Sequence, residues 1–383
     1  VILAHKIALD ANDAQTSYFY RMVGTARFVY NWGLEAWNAA YNAGEKVNGM
    51  ELRKRFNQTK YEEFPWLGEM PRDAHSQPFL NLDRAFKSFF KGKSKHPVFH
   101  KRGENDSCYL SADRIDFDGE YVRLPRIGLV RMHESLRFAG HILGAVLNRE
   151  ADRWFVSVQV EMGEYHRERV ADGVIGIDLG ITHAVTTSTG ETYDSPKSLA
   201  RHEKQLRRAQ RVIARRVRGS ANRAKAKNRL ARLYRLIRNV RKDFLHKTSH
   251  RLCSENQAIG MESLNVKGMM ANHCVARCLG DAALGELARQ IEYKAVIFRD
   301  DLRKVDQWFA SSKLCSECGA KKDDLSLSDR VYRCGVCGAV KDRDRNASEN
   351  IRTASFAGTY ACGHGDAAVV EAGTMQVLSV STC

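Results

Sequence analysis

No stretch of this sequence stays apolar for the ~18–20 residues that a membrane-spanning helix requires, which argues against such a helix. The N-terminal segment VILAHKIALD has neither a basic leader nor a small-residue cleavage site. It reads as a strand and not as a secretion signal, so the expected compartment is the cytoplasm. Internal repeats are absent, which removes repeat architectures from consideration. Acidic residues are scarce in one place: residues 201–251 hold 19 Lys and Arg against two acids, Glu203 and Asp243, a net +17.

That scarcity is informative because the whole chain of 383 residues carries a net +16. The excess sits in one segment, and the remainder is near neutral. Solvated helical faces usually mix both signs, and this one does not. The pattern points to a localised phosphate-binding surface. The chain is too long for one small core, so two or three domains are expected, and a hydrophobic content of 43% supports packed domains.

Residues 2–9 read as a strand. Over residues 14–43, Phe19, Met22, Val23, Ala26, Val29, Tyr30, Leu34 and Trp37 recur at intervals of three and four, predicting an amphipathic helix. Ser76 followed by Pro78 marks the expected start of another helix, with Leu80, Leu82, Phe86, Phe89 and Phe90 on its apolar side. Gln77 and Asn81 would lie at its beginning, and Lys87, Lys91, Lys93, Lys95, Lys101 and Arg102 make a basic exit from it. From about 107 to 162 the pattern turns to strands, with 148–152 as a turn before an alternating run at 155–160. A β-module thus begins near residue 2, is interrupted by a helical insert and resumes near 107. After about 170 the pattern is α/β: a buried strand at 174–179, a second strand at 184–187, and two long helices over 198–252 broken near Gly219. Residues 352–383, rich in Gly, Ala and Ser, show no period and are expected to be poorly ordered.

Ten cysteines are present, and four cluster: Cys315 and Cys318, then fifteen residues, then Cys334 and Cys337. This C-x2-C spacing repeated is that of a structural zinc site, in which each pair forms a knuckle offering two thiolates to one tetrahedral ion. Gly319 and Gly338 follow the second cysteine of each pair. Four thiolates leave no open position, so the role is structural. The scattered Cys108, Cys253, Cys274, Cys278, Cys362 and Cys383 read as reduced thiols, and His273 with Cys274 and Cys278 as ordinary helix residues.

Three acids stand out. Asp178 lies within VIGIDLG (174–180), Glu262 ends the apolar AIGME (258–262), and Asp344 lies in DRDRNA (342–347), directly after the cysteine cluster. Burying a carboxylate in an apolar strand is costly unless it meets a cation or donor. Each acid alone has an ordinary explanation, as a cap, a strand end or a surface charge. Together, at the ends of α/β elements, they offer hard oxygen ligands suited to Mg²⁺. Two such ions about 4 Å apart would clamp the attacking and leaving oxygens of an in-line phosphodiester displacement.

The segments IGIDLGITHAV (175–185), IGMESLNVKGM (259–269), FASSKLCSECG (309–319) and DRDRNASENI (342–351) resemble motifs of the TnpB family, transposon-encoded relatives of type V CRISPR effectors. TARFVYNWGLEAWNAAY (25–41) and LDRAFKSFFKG (82–92) resemble its N-terminal part, so the resemblance spans about 2–352 in the family's order. It implies a ribonuclease-H-like (RuvC) α/β nuclease domain at 170–352 with a zinc ribbon inserted at 311–340. It further implies a β-barrel wedge domain at 1–10 and 107–165, a helical recognition domain at 11–106, and a tail at 353–383. By motif matching, Asp178, Glu262 and Asp344 are the catalytic Mg²⁺ ligands. Asp344 is preferred to Asp342 because it fits D-x-N-A.

The implied activity is RNA-guided, metal-dependent cutting of double-stranded DNA beside a short adjacent motif. The implied guide RNA derives from the transposon end, and the implied setting is a prokaryotic cytoplasm, nucleoid-associated when on DNA. Arg207, Arg211, Arg215, Arg229, Arg232 and Arg235 are candidates for backbone contacts to an RNA–DNA hybrid, Lys87 and Lys91 for RNA phosphates, and Gln77 and Asn81 for base edges. Ser263 and Ser348 depart from the family pattern without touching the acids.

Other readings remain open on the residues. The segment 176–182 also resembles the first phosphate loop of actin-class ATPases, but a second Asp-containing loop and a Gly-rich adenosine loop are missing. A non-catalytic, RNA-guided DNA-binding regulator leaves the three acids unexplained. A DNA-joining transposase would use the same acids. Oligomeric state is left open.

Overall fold

The structure is a computed structural model that describes residues 1–326 and 329–357. The chain divides into two compact units. The first holds residues 1–167 and 196–244; the second holds 168–195 and the described residues from 245 onward.

The first unit opens with β1 (Ile2–Asp10) and α1 (Asp13–Asn42). The α1 stripe falls where the spacing places it: Phe19, Met22, Val23, Val29, Tyr30, Leu34 and Trp37 are buried. Its start is fixed by a reciprocal cap: Asn12 Oδ1 accepts from the Gln15 N–H at 2.9 Å, and Gln15 Oε1 accepts from the Asn12 N–H at 3.1 Å. Next come α2 (Gly49–Glu63) and α3 (Arg72–Phe90). These pack on α1 through an aromatic core that includes Trp37, Phe56, Phe79 and Phe86.

The expected helix start at Ser76 is wrong. Helix α3 begins at Arg72 after Pro71, and Pro78 lies inside it. Proline inside a helix removes one hydrogen bond, at about 3 kcal/mol. Burial of Ala74, Phe79, Leu82 and Phe86 along one face carries the helix through that interruption.

Six strands follow: β2 (Ser107–Ser111), β3 (Asp116–Asp118), β4 (Tyr121–Leu124), β5 (Gly128–Met132), β6 (His141–Glu150) and β7 (Arg153–Glu161). With β1 they form a seven-stranded antiparallel sheet in the order β2-β6-β7-β1-β5-β4-β3. Trp154, Val156, Val158 and Val160 of β7 alternate inward, as a half-buried strand requires. The turn expected over 148–152 is tighter than that. Pairing of β6 with β7 continues to Glu150 and Arg153, leaving Ala151, at φ 59°, and Asp152 as the turn.

The second unit begins with β8 (Gly173–Asp178), β9 (Val185–Thr187) and β10 (Thr192–Tyr193). The chain then supplies α4 (Ser198–Arg201), α5 (Glu203–Ala214) and α6 (Ala221–Ser254). Residues 196–244 of this stretch group with the first unit. Specific ion pairs hold them there: Arg232 and Arg235 reach Asp152 at 2.6 and 3.4 Å, and Arg238 pairs with Glu150. The second unit resumes with β11 (Asn256–Glu262), α7 (Val266–Ala271), α8 (His273–Ala282), α9 (Leu284–Phe298) and β12 (Asp301–Val305). It closes with β13 (Val331–Arg333), β14 (Val340–Asp342) and α10 (Arg343–Phe356).

Its central sheet runs β10-β9-β8-β11-β12, with β8, β11 and β12 parallel, β9 antiparallel to β8, and β10 antiparallel to β9. Helix α10 packs across β8, β9, β11 and β12. It extends five residues beyond the expected Ile351, because Ser355 and Phe356 are buried. The rest of the proposed tail, from residue 358, lies outside the described residues. No helix among the described residues is long and apolar enough to cross a membrane.

Candidate active site and zinc centre

Asp178 is the last residue of β8 and Glu262 the last of β11. These strands are parallel neighbours, paired Gly176 to Gly260 and Ile177 to Met261. The next step of that register sets the two acids side by side at the carboxyl ends of the strands. Their side chains share a hydrogen bond, and Glu262 also accepts from the Leu179 backbone N–H. Two neighbouring carboxyls resist ionising together. Burial, followed by the charges of Glu262 and Asp344, pushes the Asp178 carboxyl well above the usual carboxylate range. Burial likewise raises Glu262, against its hydrogen bonds to Asp178 and Leu179.

Asp344 arrives on the first turn of α10. Asp342 caps that helix, its Oδ1 accepting from the Asp344 and Arg345 N–H groups at 3.0 Å each. The carboxylate of Asp342 is therefore committed to the helix end, while Asp344 is free of that duty. Arg343 approaches Asp344 Oδ1 at 3.3 Å, and its charge opposes the upward shift of Asp178. The helix lies unusually close to the sheet. A Cβ on Gly176 would overlap the Ser348 carbonyl and the Arg352 backbone nitrogen, and one on Gly260 would strike the Ser355 side chain. Glycine at both positions is what lets α10 bring Asp344 to the strand ends.

The three acids do not close as tightly as the cysteines. Among the described residues, the one group of three or more His, Cys, Asp or Glu ligand atoms mutually within 4.8 Å is Cys315, Cys318, Cys334 and Cys337. A site for two ions about 4 Å apart does not need its acids in mutual contact. The half-buried Asp178–Glu262 pair, with Asp344 acting on it electrostatically, fits a divalent cation held by hard oxygens.

The cysteine sulfurs suit zinc. Cys315 and Cys337 Sγ stand 3.6 Å apart, as do Cys318 and Cys334. Tetrahedral Zn–S bonds of about 2.3 Å place sulfurs about 3.8 Å apart, whereas a disulfide needs about 2.05 Å. The Cys337 N–H donates to Cys334 Sγ at 3.5 Å. With the Val336 N–H it brings the Cys334 thiol down to about 6, while the neighbouring thiols help push Cys337 up to about 12 and raise Cys318, so without a cation the four cannot all be thiolates at neutral pH.

The candidate nucleic-acid residues separate into two groups. Arg211, Arg215 and Arg229 are exposed. Arg232 and Arg235 are spent on Asp152, and Arg235 Nη1 also donates to the Glu150 carbonyl at 2.8 Å. Arg207 pairs with Glu203 one turn away. Lys87 pairs with Asp83 at 2.7 Å, and Lys91 is exposed at the end of α3. Gln77 and Asn81 sit inside α3 and not at its start, with Gln77 Nε2 donating to Asn81 Oδ1 at 3.4 Å. Sequence reasoning missed Asn346 and Asn350, which are buried on α10 and reach the first cysteine knuckle. The N-A of the D-x-N-A pattern was the available signal.

The site defines a class: an α/β unit whose parallel strands end in paired acids, with a third acid on a helix that follows directly from a four-cysteine centre. Comparison with known proteins gives the family. Residues 157–273 match a family described as a probable transposase, and residues 285–351 match a Cas12f1-like TNB domain. A putative RNA-guided DNA endonuclease of Streptomyces pristinaespiralis is 35% identical over 94% of this chain and 91% of its own length. A putative RNA-guided DNA endonuclease of Escherichia coli K12, InsQ, is 28% identical over 94% of both chains. The chain belongs to the TnpB family. Residues 1–46 also match a domain described as helix-turn-helix, yet they fold as β1 and the single long helix α1. Among solved structures, the mini-RNA-guided endonuclease CRISPR-Cas_phi3 aligns over 93% of this chain and 92% of its own, with 9% identity and a TM-score of 0.41.

Proposed function

We propose that this protein is an RNA-guided DNA endonuclease whose Asp178, Glu262 and Asp344 hold Mg²⁺ against the scissile phosphodiester. The observation that carries the reading is the Asp178–Glu262 pair, half-buried side by side where adjacent parallel strands end, with both carboxyls raised. Such a pair is costly unless a cation is its working partner. The strand order β10-β9-β8-β11-β12 supports a ribonuclease-H-like, RuvC-type core. The relatives that match over nearly their full length are named putative RNA-guided DNA endonucleases.

Magnesium held by these oxygens would neutralise charge on the phosphodiester and stabilise the attacking and leaving oxygens of in-line displacement. The chain's own contribution is placement. Parallel register sets Asp178 beside Glu262, the Leu179 N–H orients Glu262, and the close seat of α10 on Gly176 and Gly260 fixes Asp344. Cys315, Cys318, Cys334 and Cys337 hold a structural zinc ion. The exposed Arg211, Arg215 and Arg229, in the segment carrying net +17, track nucleic-acid phosphates. The sheet of β1–β7 is the wedge, and α1–α3 are the recognition insert. Binding a guide RNA selects the DNA to be cut.

The test is sequencing of RNA that copurifies with the protein, followed by plasmid cleavage with Mg²⁺ and that RNA. A defined RNA with one variable end, and cuts at the matching DNA, support the reading. Random RNA fragments and no guided cutting reject it.

A further inference from the structure

Helix α10 is held between two partners within the second unit. On one side Ser348, Arg352 and Ser355 lie against Gly176 and Gly260 of the sheet. On another, Asn346 and, one turn further on, Glu349 and Asn350 grip the first cysteine knuckle. Asn346, wholly buried, donates from Nδ2 to the Leu314 carbonyl at 2.7 Å and accepts at Oδ1 from the Ser316 N–H at 3.0 Å. Leu314 and Ser316 flank Cys315, so one amide spans the backbone on both sides of a zinc ligand.

Asn350 donates to the Leu314 and Ser311 carbonyls at 2.7 and 2.8 Å. Glu349 accepts from Ser316 Oγ at 2.7 Å and from Lys341 Nζ at 2.6 Å, and Lys341 also pairs with Glu317 inside the knuckle. The helix that carries Asp344 is thereby pinned to a loop whose own shape depends on four thiolates meeting one ion. Without the ion, four sulfurs within 4.8 Å of one another have no common partner, and the loop ends that Asn346 reads lose their fixed spacing.

We infer that Asn346 is a positioning residue that couples zinc occupancy of the four-cysteine centre to the placement of the Asp344 carboxylate. The inference rests on Asp344 acting as proposed above. The zinc centre is then part of what builds the acid site and not only a fold element beside it. The coupling runs both ways: loosening the amide clamp weakens the hold on zinc as well as the third acid.

The experiment compares the wild-type protein with Asn346→Ala and Lys341→Gln, each purified with its copurifying RNA. Three quantities are measured: the rate of zinc loss to a colorimetric chelator, the Mg²⁺ concentration for half-maximal DNA cutting, and the affinity for RNA. Outer-shell partners of metal ligands typically matter by 10–100-fold, so Asn346→Ala should lose zinc about tenfold faster and need about tenfold more Mg²⁺. RNA affinity should be unchanged. Lys341→Gln, which cuts the outer part of the same clamp without emptying a buried site, should shift both quantities in the same direction by a smaller factor. It keeps the test decisive if Asn346→Ala does not fold.

A lower melting temperature with wild-type zinc loss and wild-type Mg²⁺ dependence would assign these residues to stability alone and overturn the inference. Faster zinc loss with unchanged Mg²⁺ dependence would also overturn it. If the wild-type protein does not cut at all, the proposed function fails instead, and the zinc-loss measurement still reports whether the clamp holds the metal.

Discussion

The α-carbon of Gly176 faces the carbonyl of Ser348 so closely that no side chain fits between them. This contact joins the strand ending in Asp178 to the helix that carries Asp344 in its first turn. Gly176→Ala would set a methyl group against backbone, which cannot rotate away, and should destabilise the protein by about 1–3 kcal/mol. Gly260→Ala meets mainly the Ser355 side chain and should cost less. Denaturant midpoints of the two variants measure the difference.

Paired buried acids that work on a cation are a burden without one. Asp178→Asn removes a carboxyl whose ionised form burial and Glu262 both oppose. In metal-free protein at neutral pH it should stabilise the fold by about 0.5–2 kcal/mol while abolishing cutting. Thermal unfolding in the presence of a chelator measures the first effect, and plasmid cleavage the second.

The arginines of the basic segment should divide by their partners. Alanine at Arg211, Arg215 or Arg229 should lower the slope of log affinity against log salt by about one each, with little change in stability. Alanine at Arg232, which is tied to Asp152, should leave that slope nearly intact and lower the denaturation midpoint slightly. RNA-binding titrations over a salt series, run beside denaturation of the same variants, separate the two classes.

Asp300 should impose a pH dependence on folding. Its enclosed side chain faces the Arg169 guanidinium at 3.5 Å, yet burial raises the carboxyl to about 7. The folded value lies above the ordinary value of about 3.9. Folding therefore takes up a proton across that interval. The group's contribution is greatest at the acidic end, falls as pH rises towards 7, and is level above it. Asp300→Asn should flatten this part of the curve. Urea midpoints at pH 5 and pH 8, for wild type and variant, check it.

What was legible in the sequence was short-range and periodic. The α1 stripe, the two apolar strands ending in acids and the doubled cysteine pair each announce themselves within a few residues. What was hidden depends on partners far along the chain. Ser76 and Pro78 look like a helix start until burial of Phe79 and Leu82 carries α3 through the proline. Arg232 and Arg235 look free until the turn at Asp152 comes to meet them. Asn346 shows locally only as the asparagine of D-x-N-A; its role appears only when the knuckle at Cys315 folds against it.

The most direct test compares Asp178→Ala, Glu262→Ala and Asp344→Ala with wild type, measuring RNA and target-DNA binding beside Mg²⁺-dependent cleavage of the same DNA. All three variants should bind as wild type does and fail to cut. Cutting at the wild-type rate by any one of them would contradict the assignment of that acid, and cutting by all three would remove the active site from this end of the sheet.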